Sequence, residues 1–195
     1  MFLSTSTTEE PRMIADTSDD LVVLLDEHDL PIGEALRTAV HTRRTPRHLA
    51  FSCYLFDDRG RILLTRRALD KRTWPGVWTN SCCGHPKPGE AAEDAVRRRV
   101  AQELGAAIDG LELVLPDFAY TATDASGIVE NELCPVWVGR LDGLVSPDPS
   151  EVCETRWVDW DDLVRVVDSS PFLVSPWCGR QVPLLDQALR KAGAA

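Results

Sequence analysis

Gly84-His85-Pro86-Lys87-Pro88-Gly89-Glu90 is followed after seven residues by Arg98-Arg99-Val100-Ala101-Gln102-Glu103-Leu104-Gly105. Between Glu90 and Leu104 the apolar residues Ala92, Val96, Val100 and Leu104 recur at every fourth position. That spacing predicts an amphipathic helix of about four turns. Gly105 ends it, because a helix terminus favours a residue that accepts left-handed backbone. A loop running directly into a charged helix is therefore the first fixed point of the chain.

Around it, β-rich runs at 47–56 and 61–67 flank Asp57-Asp58-Arg59-Gly60 and predict a hairpin. Two further strands, over 111–121 and 128–141, flank Asp124-Ala125-Ser126-Gly127, which has turn chemistry. Residues 21–25 read as a strand, 27–33 as a turn region, and 36–44 as a short helix or irregular connection. Residues 143–149 read as a loop, 154–158 as a strand and 161–167 as a helix. A C-terminal helix over 175–191 carries Pro183 at a kink. With no internal repeat, this mixture predicts an α/β sandwich with a mixed sheet rather than regular βαβ alternation. Residues 1–20 are polar, acidic and aperiodic and predict a flexible extension, leaving 21–195 as a single domain.

The chain has 195 residues, 44% hydrophobic and 27% charged, enough for one good core. A formal charge of -10 argues against nucleic acid as a partner, since phosphate backbones need basic surface. There is no apolar run of about 18 residues and no basic-then-apolar leader, so membrane and export are not expected. The six cysteines form no CxxC pair and predict reduced thiols in a cytoplasmic protein.

Strand alternation places Ile128, Glu130, Glu132, Cys134, Val136 and Val138 on one face. Two carboxylates among apolar side chains need a cation or a proton, unless the face is exposed and both are solvated. His41, His48 and His85 lie in or beside structured segments; with Glu130 and Glu132 they would form an N/O site for zinc, manganese or magnesium. No compact motif joins the histidines, so each taken alone reads as an ordinary polar residue. Arginines and lysines cluster at 43–47, 66–72 and 97–99, where they could meet an anionic group or form solvated faces.

The spacing from Gly84 to Gly105 resembles the Nudix box, with Arg99 and Gln102 where the hydrolase pattern has glutamates. Further matches are His41-Thr42, His48-Leu49-Ala50-Phe51-Ser52, Thr65-Arg66-Arg67-Ala68-Leu69, Trp74-Pro75-Gly76-Val77-Trp78-Thr79-Asn80-Ser81, Cys83-Gly84-His85-Pro86 and Gly127-Ile128-Val129-Glu130-Asn131-Glu132. Together they resemble the type I isopentenyl diphosphate isomerases, a Nudix-fold family, from Leu21 to the C-terminal helix.

The resemblance implies an α/β/α sandwich and an isomerase of isopentenyl and dimethylallyl diphosphates, a monomer or weak homodimer. It implies His41, His48, His85, Glu130 and Glu132 as ligands of one divalent metal. Cys83 and Glu132 become the acid/base pair, Tyr120 assists the glutamate, and Trp177 is the aromatic beside a cation. Glu103 and the Cys83 carbonyl correspond to a Mg2+ site serving the substrate diphosphate, with Arg37, Arg67, Lys71 and Arg99 around that group. Cys82 is expected to pack away from the chemistry. A Nudix hydrolase and a non-catalytic ligand or metal sensor are the competing readings.

Overall fold

The computed structural model describes residues 21–141 and 143–193; the extension expected over residues 1–20 lies outside them. In chain order the strands and first helices are β1 (Leu21–Leu25), β2 (Pro31–Leu36), α1 (Arg37–Val40), β3 (His48–Leu49), β4 (Phe51–Phe56), β5 (Arg61–Arg67), β6 (Trp78–Thr79), β7 (Cys82–Gly84) and α2 (Ala92–Leu104). There follow β8 (Ile108–Leu115), β9 (Ala119–Thr123), β10 (Val129–Leu133), β11 (Val136–Leu141), β12 (Val152–Asp159), α3 (Trp160–Ser169), a 3-10 turn at Pro171–Leu173, and α4 (Pro176–Gly193).

Alternation along β4 sets the layers. Phe51, Cys53 and Leu55 point to one side and pack with Ala95, Val96, Val100 and Leu104 of α2. Tyr54 points to the other, into a core with Leu163 and Val167 of α3 and Val182 and Leu185 of α4. Helices thus cover both faces of the sheet β12-β5-β4-β11-β8, giving the expected α/β/α sandwich. A second mixed sheet, β2-β1-β3-β10-β9, carries one wall of the site. Helix α2 begins at Ala92 rather than Glu90, whose carboxylate instead accepts from the Lys87 amide at 2.8 Å and from Arg98 at 2.7 Å. Gly105 ends α2 in the left-handed region, φ 61°.

The segment expected as a turn over 27–33 is in part strand, because β2 from Pro31 pairs antiparallel with β1. The hairpin at 57–60 forms, but its strands pair directly only at Phe56 and Ile62. Beyond that they splay, with β7 paired to β4 and β6 to β5. The sequence between β6 and β7 fills the gap: Ser81 Oγ accepts from the Leu55 amide at 2.8 Å and donates to the Leu63 carbonyl at 2.6 Å. One hydroxyl thereby replaces a ladder rung between strands too far apart to pair.

Three runs expected as single strands are each broken at one level. β3 stops before Ala50, β8 and β9 part at Pro116-Asp117, and β10 and β11 part at Cys134-Pro135. Proline cannot donate to a ladder, so two of the breaks follow from its missing N–H. The breaks are bridged, since the Ala50 amide donates to Leu133 O at 2.8 Å and the Cys134 amide to Phe118 O at 2.8 Å. Each broken strand therefore contributes one half to each sheet.

Candidate active site

The site sits in a cleft of about 420 Å3 lined by residues of both sheets, among them His41, Cys83, His85, Glu130, Glu132 and Trp177. Register builds its first wall. Glu132 of β10 lies beside His48 of β3 and opposite Tyr120 of β9, and in-register neighbours share a face. Glu130 and Glu132 are 5% and 6% exposed, which rules out the solvated face.

His41, His48, His85 and Glu132 have donor atoms all within 4.8 Å of one another. The Nε2 atoms lie 3.9, 3.5 and 3.4 Å from Glu132 Oε1 for His41, His48 and His85 respectively. His48 Nδ1 is 3.0 Å from the Pro46 carbonyl, which can only accept, so Nδ1 carries the hydrogen and Nε2 a bare lone pair. The Nε2 atoms of His48 and His85 are buried with no hydrogen-bond partner. Bare, converging nitrogens around a carboxylate are what a divalent metal requires, and the donor set fits one.

Electrostatics agree at His85. Burial pushes the His85 imidazole down to about 4, keeping it neutral and able to ligate. Burial acts to raise Glu132, but the three imidazoles facing its Oε1 outweigh it and hold the carboxyl well below its usual range. His48 is also depressed by burial, yet Glu132 reverses that and raises it. Glu130 differs: burial and then repulsion from Glu132 push it up. It is outside the four-residue cluster, and Tyr120 donates its hydroxyl to Glu130 Oε2 at 2.7 Å rather than to Glu132.

Cys83, from β7 of the other sheet, forms the facing wall. Its Sγ lies 3.2 Å from Asn80 Oδ1 and 3.5 Å from Ser52 Oγ. Burial pushes this thiol up to about 12. Cys82, one residue earlier, points into the α2-side core as expected. Trp177 is buried in the cleft wall, with Tyr120 at 5.8 Å and Trp74 at 6.0 Å between ring centroids. Arg67 Cζ stands 5.8 Å over the Trp177 ring, a cation–π contact made within the cleft itself.

The mouth is basic. Arg37, Arg67, Lys71 and Arg99 all line it. Arg67 is anchored through the Thr73 carbonyl at 3.0 Å. Arg99 pairs with Glu103, and burial pushes Glu103 up against the pull of Arg99. Glu151, not singled out by the sequence, joins Lys71 and lies 3.3 Å from Arg99. Asn80 and Ser52 were also missed as site residues. Both stand inside the resembling stretches, but a buried amide or hydroxyl has no spacing signature.

A NUDIX domain model matches residues 46–178. The isopentenyl-diphosphate Delta-isomerase of Mycolicibacterium vanbaalenii is 58% identical over 169 residues, covering 87% of this chain and 93% of that protein. The isomerase of the same name from Frankia alni is 58% identical over 177 residues, 91% of each chain. Among solved structures, DR0079 from Deinococcus radiodurans aligns with TM-score 0.64 at 20% identity, covering 84% of this chain and 97% of that one. At that identity the structure supports the fold alone, whereas the two relatives carry more. The chain belongs to the isopentenyl-diphosphate Delta-isomerase family, a branch of the NUDIX fold.

Proposed function

We propose that this chain interconverts isopentenyl and dimethylallyl diphosphates by adding a proton at one carbon and removing one at another. The observation that carries this is that Cys83 and Glu132, from different sheets, line one cleft together with Trp177, His41, His85 and the basic residues Arg37, Arg67, Lys71 and Arg99. Moving the double bond needs a proton at the terminal methylene, which leaves a tertiary cation at the next carbon, and loss of a proton from the chain methylene on the far side of that cation. A thiol and a carboxylate on separate walls supply the two proton sites. Trp177 stabilises the cation by about 2 kcal/mol or more when water is excluded. Tyr120 and Glu130 form a buried hydrogen-bonded pair beside Glu132 that can hold a proton near its carboxylate.

His41, His48, His85 and Glu132 hold the divalent metal, and three imidazoles suit zinc better than magnesium. When bound, the ion supplies positive charge that offsets the buried Glu132 carboxylate. Arg37, Arg67, Lys71 and Arg99 bind the diphosphate, and Glu103 with the Cys83 carbonyl holds the Mg2+ that accompanies it. Hydrolysis is disfavoured because Arg99 and Gln102 replace two carboxylates of the Nudix box, leaving Glu103. The deciding assay is purified protein with isopentenyl diphosphate, Mg2+ and Zn2+ or Mn2+, with dimethylallyl diphosphate expected. Phosphate release without that product would favour the hydrolase, and tight diphosphate binding without turnover would favour a sensor.

A further inference from the structure

Asn80 lies between β6 and β7 and is 0% exposed. Its Nδ2 donates to two backbone carbonyls, Cys53 O at 3.1 Å and Cys82 O at 2.9 Å. Carbonyls only accept, so the amide cannot be turned over, and its oxygen must face the other way. There Oδ1 meets three donors: Trp177 Nε1 at 3.0 Å, Thr79 Oγ1 at 2.8 Å and Cys83 Sγ at 3.2 Å. An amide oxygen has two lone pairs, and the indole N–H is a donor with no alternative role. The thiol hydrogen and the Thr79 hydroxyl therefore compete for what the indole leaves, and Thr79 has a second outlet in Ser175 Oγ at 2.7 Å.

We propose that Asn80 is a positioning residue that couples the Cys83 thiol to the Trp177 indole through this single oxygen; this rests on the isomerase reading, in which both groups flank the isoprenoid. The indole N–H bond stops the ring from turning and so sets where its face meets the cleft. The same oxygen fixes the direction of the Cys83 thiol. On the sulfur's other flank, Ser52 Oγ accepts from Gln181 Nε2 at 2.9 Å, which leaves the serine hydrogen for a sulfur. Cys134 Sγ at 3.4 Å and Cys83 Sγ at 3.5 Å share that hydrogen, so Cys83 has the Asn80 acceptor on one side and the Ser52 hydroxyl on the other, and neither partner belongs to the histidine cluster. No hydrogen bond runs from Asn80 to Arg67, Lys71 or Arg99 among the described residues; its link toward the groups proposed to hold the diphosphate is the Trp177 ring, over which Arg67 Cζ stands at 5.8 Å.

The test uses the zinc-loaded enzyme in two arms. In the first, Asn80→Ala is compared with wild type by steady-state kinetics and melting. Misplacing the thiol and ring should lower kcat by about tenfold or more, with KM for isopentenyl diphosphate little changed. A folded variant with unchanged kcat overturns the proposal, as does one in which only KM rises. Asn80→Ala also removes a hydrogen bond from each of the Cys53 and Cys82 carbonyls, so a second arm avoids that substitution. The Trp177 indole N–H resonance, assigned by its loss in Trp177→Phe, is followed in Cys83→Ala and Cys82→Ala. Freeing the shared oxygen of the thiol should move that resonance downfield and slow its solvent exchange in Cys83→Ala, and Cys82→Ala should do neither. No change in Cys83→Ala, or equal change in both, overturns the coupling. An inactive wild-type enzyme would sink the isomerase reading, and the resonance arm would then decide the coupling alone.

Discussion

Gly84→Ala tests how closely the box loop and its helix are fitted. A Cβ built at Gly84 would stand 2.8 Å from Arg99 Cγ and 3.0 Å from Phe51 Cζ, where ordinary contact begins near 3.4 Å. Phe51 is buried in the α2-side core and cannot give way. The displacement therefore falls on the Arg99 stem, whose guanidinium is held by Glu103 and Glu151. Overpacking of this size costs about 1 to 3 kcal/mol, which in a domain of this length lowers the melting temperature by roughly 2 to 12 °C. Arg99 also lines the mouth proposed for the diphosphate. Weakening one charge-assisted contact, worth about 1.5 to 3 kcal/mol, should raise KM by roughly ten- to a hundredfold, with a smaller change in kcat. Thermal melting and initial rates with isopentenyl diphosphate read both effects. A variant that melts with wild type and keeps its KM would contradict this fit, because the contact distances leave no room for a methyl group without movement.

Glu130→Gln should weaken zinc binding by about 10- to 100-fold, as loss of a supporting contact does, and Glu132→Gln by much more; competition with a chelating dye measures both, and equal losses would reject the division. Cys82→Ala should cost about 1 kcal/mol of packing and keep turnover, whereas Cys83→Ala should abolish product formation with the fold intact. In metal-free protein, the depressed His85 means the folded state resists a proton that the unfolded chain accepts near pH 6.5, so its cost is absent above that pH and grows to about 3 kcal/mol as pH falls to about 4. His48 is raised and acts in the opposite sense, its contribution being fully present below pH 6.5. Urea unfolding across that range should show less acid destabilisation in His85→Asn than in wild type; equal acid sensitivity would contradict the assignment.

The helix over 92–104 was legible because its periodicity and Gly105 agree with what the backbone does there. The layers were legible because β4 alternates cleanly between two cores. The histidine cluster was not, since His41, His48 and His85 come from three separate segments and only tertiary register brings them to Glu132. Resemblance supplied those residues; His41, His48, His85 and Glu132 come together in the structure, with Glu130 buried two positions before Glu132 on β10. The splayed hairpin was hidden for a different reason. Turn chemistry at 57–60 predicts that two strands meet, but it is silent on how far they stay paired. Ser81 and Asn80 hold the splay open with side-chain hydrogen bonds, which no period records.

The strand breaks explain why the site lies where local patterns mislead. Had residues 128–141 formed one strand, Glu132 would share a sheet with Val136 and lie in the same layer as β4 and β7. Instead Cys134-Pro135 ends one ladder and begins another, so β10 belongs to the sheet that bears His48 while β11 belongs to the sheet that bears Cys83. Matching breaks at Ala50 and Pro116-Asp117 let neighbouring strands follow the same course without losing their bridging bonds. A cleft between two sheets can put a thiol on one wall and a carboxylate on the other; two residues of one flat strand cannot face each other. The proposed proton addition and removal at different carbons of one small substrate would use that separation. Pro135, silent in the chemistry, is therefore part of what makes the arrangement available, and an unbroken strand there would bring the acid and base onto one surface.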